Sequence, residues 1–252
     1  MNGAFYIGAA GLQSQERALE VSANNIANVN TPGFKRSEVR FSELVAGTGA
    51  DATRIADDGL SGVAATSGGK VFTPGELRAT GRATDMAIDG NGFLELLGPE
   101  GQVLLWRGGE LSVNADGFLA GAGGRPLRAM ISVPTGAHDL SIDRDGVVRA
   151  RFDDADAPVE IGKIDLVLVR DAKALKAHGE GLYRIDGDDG LTTVSPGEEG
   201  AGALVQGSLE ASNVSMSDEM VTLLMMHRAY AANAQVVQAG DQLMSIANGL
   251  RR

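Results

Sequence analysis

Cysteine is absent from the 252-residue chain. That excludes disulfides, thiolate metal sites and a cysteine nucleophile, and it suits a cytosolic or an exported bacterial protein equally. Aromatic residues amount to 4%, with one tryptophan, Trp106. A core must then be built mainly from Val, Ile, Leu, Met and Ala. Basic residues are outnumbered, 22 against 33 acidic ones, for a net charge of −11. An acidic chain without a basic cluster argues against nucleic acid and anionic lipid as partners. No apolar run approaches the roughly 20 residues of a membrane span. The N-terminus does not have the form of a secretory signal. Its first basic side chain is Arg17, and Gly8 and Gly11 interrupt the apolar residues from Ala4 to Leu12. Export would need another route.

Signatures of chemistry are missing too. His138, His178 and His227 lie far apart and share no ligand spacing. The acidic runs Asp143-Arg144-Asp145-Gly146 and Asp186-Gly187-Asp188-Asp189-Gly190 lack the glycine and glutamate that a calcium loop needs at its sixth and twelfth positions. Hairpin turns explain them better. Asn91-Gly92 and Gly121-Ala122-Gly123-Gly124 are followed by no Gly-Lys-Ser/Thr, and no G-x-S-x-G elbow or H-E-x-x-H occurs. The residues point to no catalytic group, no metal, no cofactor and no small-molecule substrate.

What is present is a chain able to fold, with 43% hydrophobic and 22% charged residues and 35 glycines that imply many turns. Phe5, Leu12, Leu19 and Ile26 recur every seven positions and form one stripe on a helix over residues 3–28. Gly8, Ala9, Ala10 and Ala23 flank that stripe, and small neighbours suit close packing against other helices. Gly3, Gly8 and Gly11 each cost about 1 kcal/mol against Ala, so the helix needs a partner. It stops at an asparagine-rich corner. Asn24, Asn25 and Asn28 compete with the helix ladder, and Thr31-Pro32-Gly33 closes it with Pro-Gly at the central positions of a type II turn. These asparagines either cap and turn the chain or bond backbone groups of neighbouring subunits.

Residues 45–70 hold almost no large apolar side chains and read as a long loop or extended arm, either mobile or held by a neighbour. Val71 to Gly75 reads as a short strand ending in a second Pro-Gly turn. From 83 to 195, short apolar runs alternate with Asp-Gly and Asn-Gly corners. The runs include 86–88, 93–97, 103–106, 111–113, 129–133, 140–142, 147–148 and 164–169. Such spacing indicates an antiparallel sandwich or barrel. The last helix spans about 216–250, capped by Ser215 or Ser217, with Asp218 and Glu219 in its first turn. Met216, Leu223, Tyr230, Val237 and Met244 recur on it every seven residues. The expected fold is α+β, with N- and C-terminal helices paired as a coiled coil and a central antiparallel β domain. The expected domains are 1–34 with 208–252 (helical), 35–82 (connector) and 83–207 (β-rich).

Three motifs carry a family resemblance. Ala9-Ala10-Gly11-Leu12 with Ser22 to Arg36 resembles the N-terminal signature of the bacterial flagellar rod and hook proteins. Gly207 to Val214, Glu219-Met220 and Arg228-Ala229-Tyr230 with Asn233 are similar to that family's C-terminal signature. Thr84 to Phe93 resembles its first β-domain motif. One departure is Leu104-Leu105-Trp106-Arg107-Gly108-Gly109, where the family shows Tyr-Thr-Arg-Asn-Gly, which puts the surface chemistry there in question. The resemblance implies a structural subunit of the rod, with terminal helices in an inner tube and the β domain facing outward. It also implies export through the flagellar type III apparatus without a cleaved signal. The implied partners are copies of the same chain, other axial rod and hook proteins, and the surrounding ring proteins. The expected assembly interface is Phe5, Leu12, Leu19, Asn24, Asn25, Ile26, Asn28, Met216, Leu223, Tyr230, Val237 and Met244. The rival classes are a soluble β-domain enzyme using two carboxylates and a binding module; the residues offer no candidate carboxylate pair.

Overall fold

The computed structural model describes residues 2–44, 62–153, 157–185, 187, 190–198 and 200–249, with only the backbone at 2–5, 44, 247 and 248. It contains two long helices and a mostly antiparallel β body, an α+β protein. The chain divides into two compact units. One comprises residues 1–28, 37–69 and 214–252, and the other residues 29–36 and 70–213.

The first unit holds both helices, α1 (Asn2–Ala27) and α2 (Met216–Gly249), and a two-stranded ribbon of β1 (Ser37–Leu44) and β2 (Gly62–Lys70). Strand β2 replaces the last part of the loop expected over residues 45–70; the expectation for 45–61 lies outside the described residues. Ser215 caps α2: its hydroxyl accepts from the Asp218 amide at 3.4 Å and its carbonyl from the Glu219 amide at 3.0 Å. Asp218 and Glu219 then sit in the first turn, where the helix dipole favours them.

The seam between the helices consists of small residues. A methyl group added at Gly8 would stand 2.6 Å from Val237 Cγ2, and one at Gly11 2.9 Å from Asn233 Nδ2. The glycines that weaken α1 as an isolated helix thus let α2 approach closely. Ser14, Ala18, Ser22 and Asn25 continue the buried side of α1 at helical spacing. Leu12, Leu19 and Ile26 are half-buried beside this line.

The second unit is the β body. Its first strands are β3 (Leu77–Ala79), β4 (Asp85–Asp89), β5 (Leu94–Leu97), β6 (Val103–Trp106) and β7 (Gly108–Glu110). Strand β4 lies between β7 and Ala203–Gln206, and β6 lies between β5 and Leu182–Arg184. Strands 137–142, 147–152 and 159–163 form a further antiparallel sheet. The run Val103–Trp106 is continuously apolar because both its faces are covered. Leu104 and Trp106 join the main core with Met86, Ile88, Leu94, Leu96, Leu166 and Leu204, whereas Leu105 joins a second cluster with Phe93, Val167, Leu175 and Tyr183.

Two expected strands do not form. The run 129–133 forms no full strand: the chain turns over Leu127–Met130, with Met130 at φ +48°, and only then does Ser132 form an isolated bridge with Phe118, so that Leu127 and Ile131 both enter the core. Residues 71–75 run extended outside any ladder, and Pro74-Gly75 makes no turn; the Gly75 amide is captured by a carboxylate instead.

The Asp-Gly corners turn as their residue types require. Gly146, at φ +86°, closes the 143–146 turn, and a side chain there would strike the Ile164 carbonyl. Gly181 has a similar φ of +73° with nothing within 4 Å. Gly146→Ala is expected to destabilise the protein by about 2 kcal/mol or more, and Gly181→Ala by about 1 kcal/mol. Urea midpoints measured on the two variants check this ordering.

Candidate assembly interface

The fate of each expected interface residue follows from the packing. Leu223 and Val237 are half-buried, and Val237 meets Gly8 across the helix seam. Met216, Tyr230 and Met244 remain exposed at 37%, 40% and 37%. Asn24 is exposed, and Asn28 donates its amide to the Asn24 carbonyl at 2.9 Å. Phe5 lies outside the described side chains.

Asn25 is different from its neighbours. It is buried, and its amide pairs with the backbone of one residue as a neighbouring strand would: Oδ1 accepts from Ser37 N and Nδ2 donates to Ser37 O, both at 2.9 Å. Nδ2 also donates to Glu219 Oε1 at 3.1 Å, and Glu219 is itself buried. Asn25 therefore ties α1, the start of β1 and the first turn of α2 within one chain. The periodicity of the apolar residues gave no sign of Glu219 as its partner, since a glutamate in a first helical turn is already accounted for by the dipole.

The face of α2 away from α1 is apolar as well. Val221, Met225, Val236 and Leu243 are separated by nearly whole numbers of turns and share one side, with Leu224 and Ile246 beside them. All are exposed, Leu243 and Ile246 by more than 60%. A helix apolar on opposite sides is built to be covered on both. The heptad count singled out only one of those sides.

In the β body the family motifs converge on a buried polar joint. Thr31–Phe34 makes the expected turn, with Gly33 at φ +68° and the Phe34 amide donating to the Thr31 carbonyl. Lys35 follows, fully buried, and donates to Glu210 Oε1 at 2.6 Å and to the Thr73 carbonyl at 2.9 Å. The same Glu210 oxygen accepts from the Gly75 amide, and Oε2 accepts from Arg107 Nε at 3.0 Å. Arg107 also donates to the carbonyls of Gly92 and Gly90 and lies 5.6 Å above the Phe93 ring. Asn213 completes the joint: Oδ1 accepts from Arg36 N, and Nδ2 donates to Val71 O and to Thr73.

This corrects one expectation. The residues 104–109 that depart from the family pattern do not set surface chemistry. Trp106 and Arg107 are buried, and Gly108, at φ +106°, lies against the Met86 carbonyl where a side chain would not fit.

Two cations share one carboxylate here, and the titration follows from that imbalance. Burial alone pushes the Glu210 carboxyl up, but Arg107 and then Lys35 outweigh it and hold the group below its ordinary value. Burial lowers Lys35, against the pull of Glu210. Burial likewise pushes the nearby Tyr183 hydroxyl up to about 12.

Matches to known proteins fall on the same three regions. Residues 5–35 match the model of the flagella basal body rod proteins. Residues 87–150 match the D1 domain of the flagellar hook protein FlgE/F/G, and residues 205–250 the C-terminal part of the flagellar basal body rod FlgEFG proteins. The flagellar basal-body rod protein FlgG of Borreliella burgdorferi is 32% identical, over 99% of this chain and 98% of its own. The FlgG of Bacillus subtilis is 31% identical over 98% of each, and the FlgF of Caulobacter vibrioides 29% over 96% and 95%. Paired terminal helices with an uncovered apolar side, attached to a β body, define a structural protein of the assembling kind. The chain belongs to the flagellar basal-body rod protein family, as a structural rod subunit of the flagellum.

Two tests address the polar contacts. Asn25→Asp would place a second carboxylate against Glu219 and the Ser37 carbonyl, and is expected to cost about 3 kcal/mol. Adding Glu219→Gln should recover at least about 1 kcal/mol of that, as read from thermal or urea unfolding of both variants. For Glu210, the folded value lies below the unfolded one. Its stabilisation is therefore complete above the ordinary carboxylate value, about 4, and is lost as pH falls through the folded value. Urea midpoints should drop in that acid window in the native chain.

Proposed function

We propose that this subunit polymerises helically through its terminal helices to form the drive shaft that links motor to hook. The observation that carries this reading is the apolar side of α2 formed by Val221, Met225, Val236 and Leu243, left uncovered by α1. Exposed apolar area of this kind on a helix calls for another helix. Contact of this side with a different surface on the next copy would be head-to-tail, and such contacts grow a helical tube rather than a closed ring. The interface comprises Phe5, Leu12, Leu19, Ile26, Met216, Leu223, Tyr230, Val237 and Met244 on paired, coiled-coil helices. Asn24, Asn25 and Asn28 lie at its corner.

The terminal segments 1–34 and 208–252, which carry α1 and α2, line the inner tube, 35–82 form the connector, and the β-rich 83–207 face outward. Partners are further copies and other axial rod and hook proteins, with the surrounding ring proteins against the outer β surface. The sequence before Val71 to Leu77 and the Arg228-Ala229-Tyr230 pattern favour the distal rod position, with the proximal rod position a close second. It sits in the basal body after export by the flagellar type III apparatus with no cleaved signal.

Leu243→Asp or Val236→Asp should abolish polymerisation, seen by sedimentation and electron microscopy, while the monomer's far-UV circular dichroism stays unchanged. Leu19→Asp should also block assembly. Polymers of normal length from Leu243→Asp would refute the assignment of the open side of α2.

A further inference from the structure

The polar joint has an imbalance that makes its closure conditional. Lys35 and Arg107 are both buried, and Glu210 is the carboxylate that meets both. The three groups come from segments far apart in the chain, and Lys35 is 175 residues from its partner. Without Glu210, two cations would share a buried space with backbone carbonyls and one aromatic face. Burying uncompensated charge is strongly unfavourable, so those side chains would stay in water instead. Lys35 could not then dock, and the connector around it would stay off the β body. The segment 208–213 also supplies the Glu210 carbonyl for the Gly33 amide and the Asn213 side chain for the Arg36 amide.

We infer that Glu210 is a closing residue: the segment 31–36 leading from α1 into the connector docks on the β body only once the C-terminal segment 208–213 delivers this carboxylate. The joint is therefore a completeness check built into the fold. A chain emerging N-terminus first keeps the connector leading from α1 undocked until nearly all of the β body has appeared. The two segments that lead to the terminal helices then lock together in one step. Charge counting gives the joint a signature that ordinary core packing lacks. Removing Lys35 leaves a balanced Arg107–Glu210 pair, whereas removing Glu210 leaves two cations facing each other.

Hydrogen exchange on the full-length chain tests this. The diagnostic amide is Val71, which donates to the Arg36 carbonyl, while the Val71 carbonyl accepts from Asn213 Nδ2. During refolding under pulse labelling, Val71 should gain protection no earlier than Ala211, whose amide bonds to the Glu76 carbonyl. At equilibrium, Glu210→Gln should lose tenfold or more of the protection at Gly33, Val71 and Gly75, with the β4 and β6 amides changed less than twofold. Lys35→Met should lose far less, and Lys35→Met/Glu210→Gln should regain part of what Glu210→Gln loses. Should Glu210→Gln not fold, the double variant is still expected to fold. Protection of Val71 ahead of Ala211, a Lys35→Met loss equal to that of Glu210→Gln, or a double variant no better than Glu210→Gln would each overturn the inference.

Discussion

One carboxylate organises the β body. Glu210 accepts from Lys35, Arg107 and the Gly75 amide, and its own carbonyl takes the Gly33 amide. Four stretches of chain therefore meet at one side chain: the exit from α1, the extended 71–75 segment, the β6–β7 corner and the approach to α2. Desolvation disfavours all three charges. What offsets it is the completeness of the hydrogen bonding: Lys35 also reaches the Thr73 carbonyl, and Arg107 the carbonyls of Gly90 and Gly92. A buried network of this kind specifies one arrangement because no half-formed version satisfies its members.

The glycines and prolines around the joint acquire their reasons from it. Gly33 supplies a left-handed turn that aims Lys35 inward. Gly75 lies so close to the Ala211 backbone that a side chain would strike it. Gly108 does the same against the Met86 carbonyl. Each is a place where backbone must approach backbone so that one carboxylate can be reached from several directions.

Much of this fold is legible in the sequence, and the limits have a physical origin. Heptad spacing located both helices to within a residue or two, and Asp-Gly pairs located the hairpin corners, because both signals are local. The run 129–133 misled because its first residues complete a reversal after Leu127, which leaves only a single bridge at Ser132 in place of a strand. The helix seam was hidden for a related reason. Counting large apolar residues found Leu12, Leu19 and Ile26, whereas the buried line on α1 is Ser14, Ala18, Ser22 and Asn25. Small residues carry little hydrophobic signal yet govern how closely two backbones approach. The polar joint was visible only as a motif. Lys35 and Glu210 each look like ordinary surface charges until the topology brings them together.

The two helices are matched unequally, and that inequality bears on function. The buried side of α1 is small and polar, and its outer side carries Glu16, Arg17 and Glu20 in solvent. Helix α2 turns Val237, Asn233 and Glu219 toward α1 and is apolar on the side away from it. Pairing the two helices therefore still leaves the far side of α2 exposed. A surface of that kind in a monomer is a cost that only a neighbour removes. The helix that remains unsatisfied is the one entered through Asn213, whose side chain belongs to the polar joint. The residue that orders the β body's exit segment thus precedes by only a few positions the start of the helix whose apolar side α1 leaves exposed.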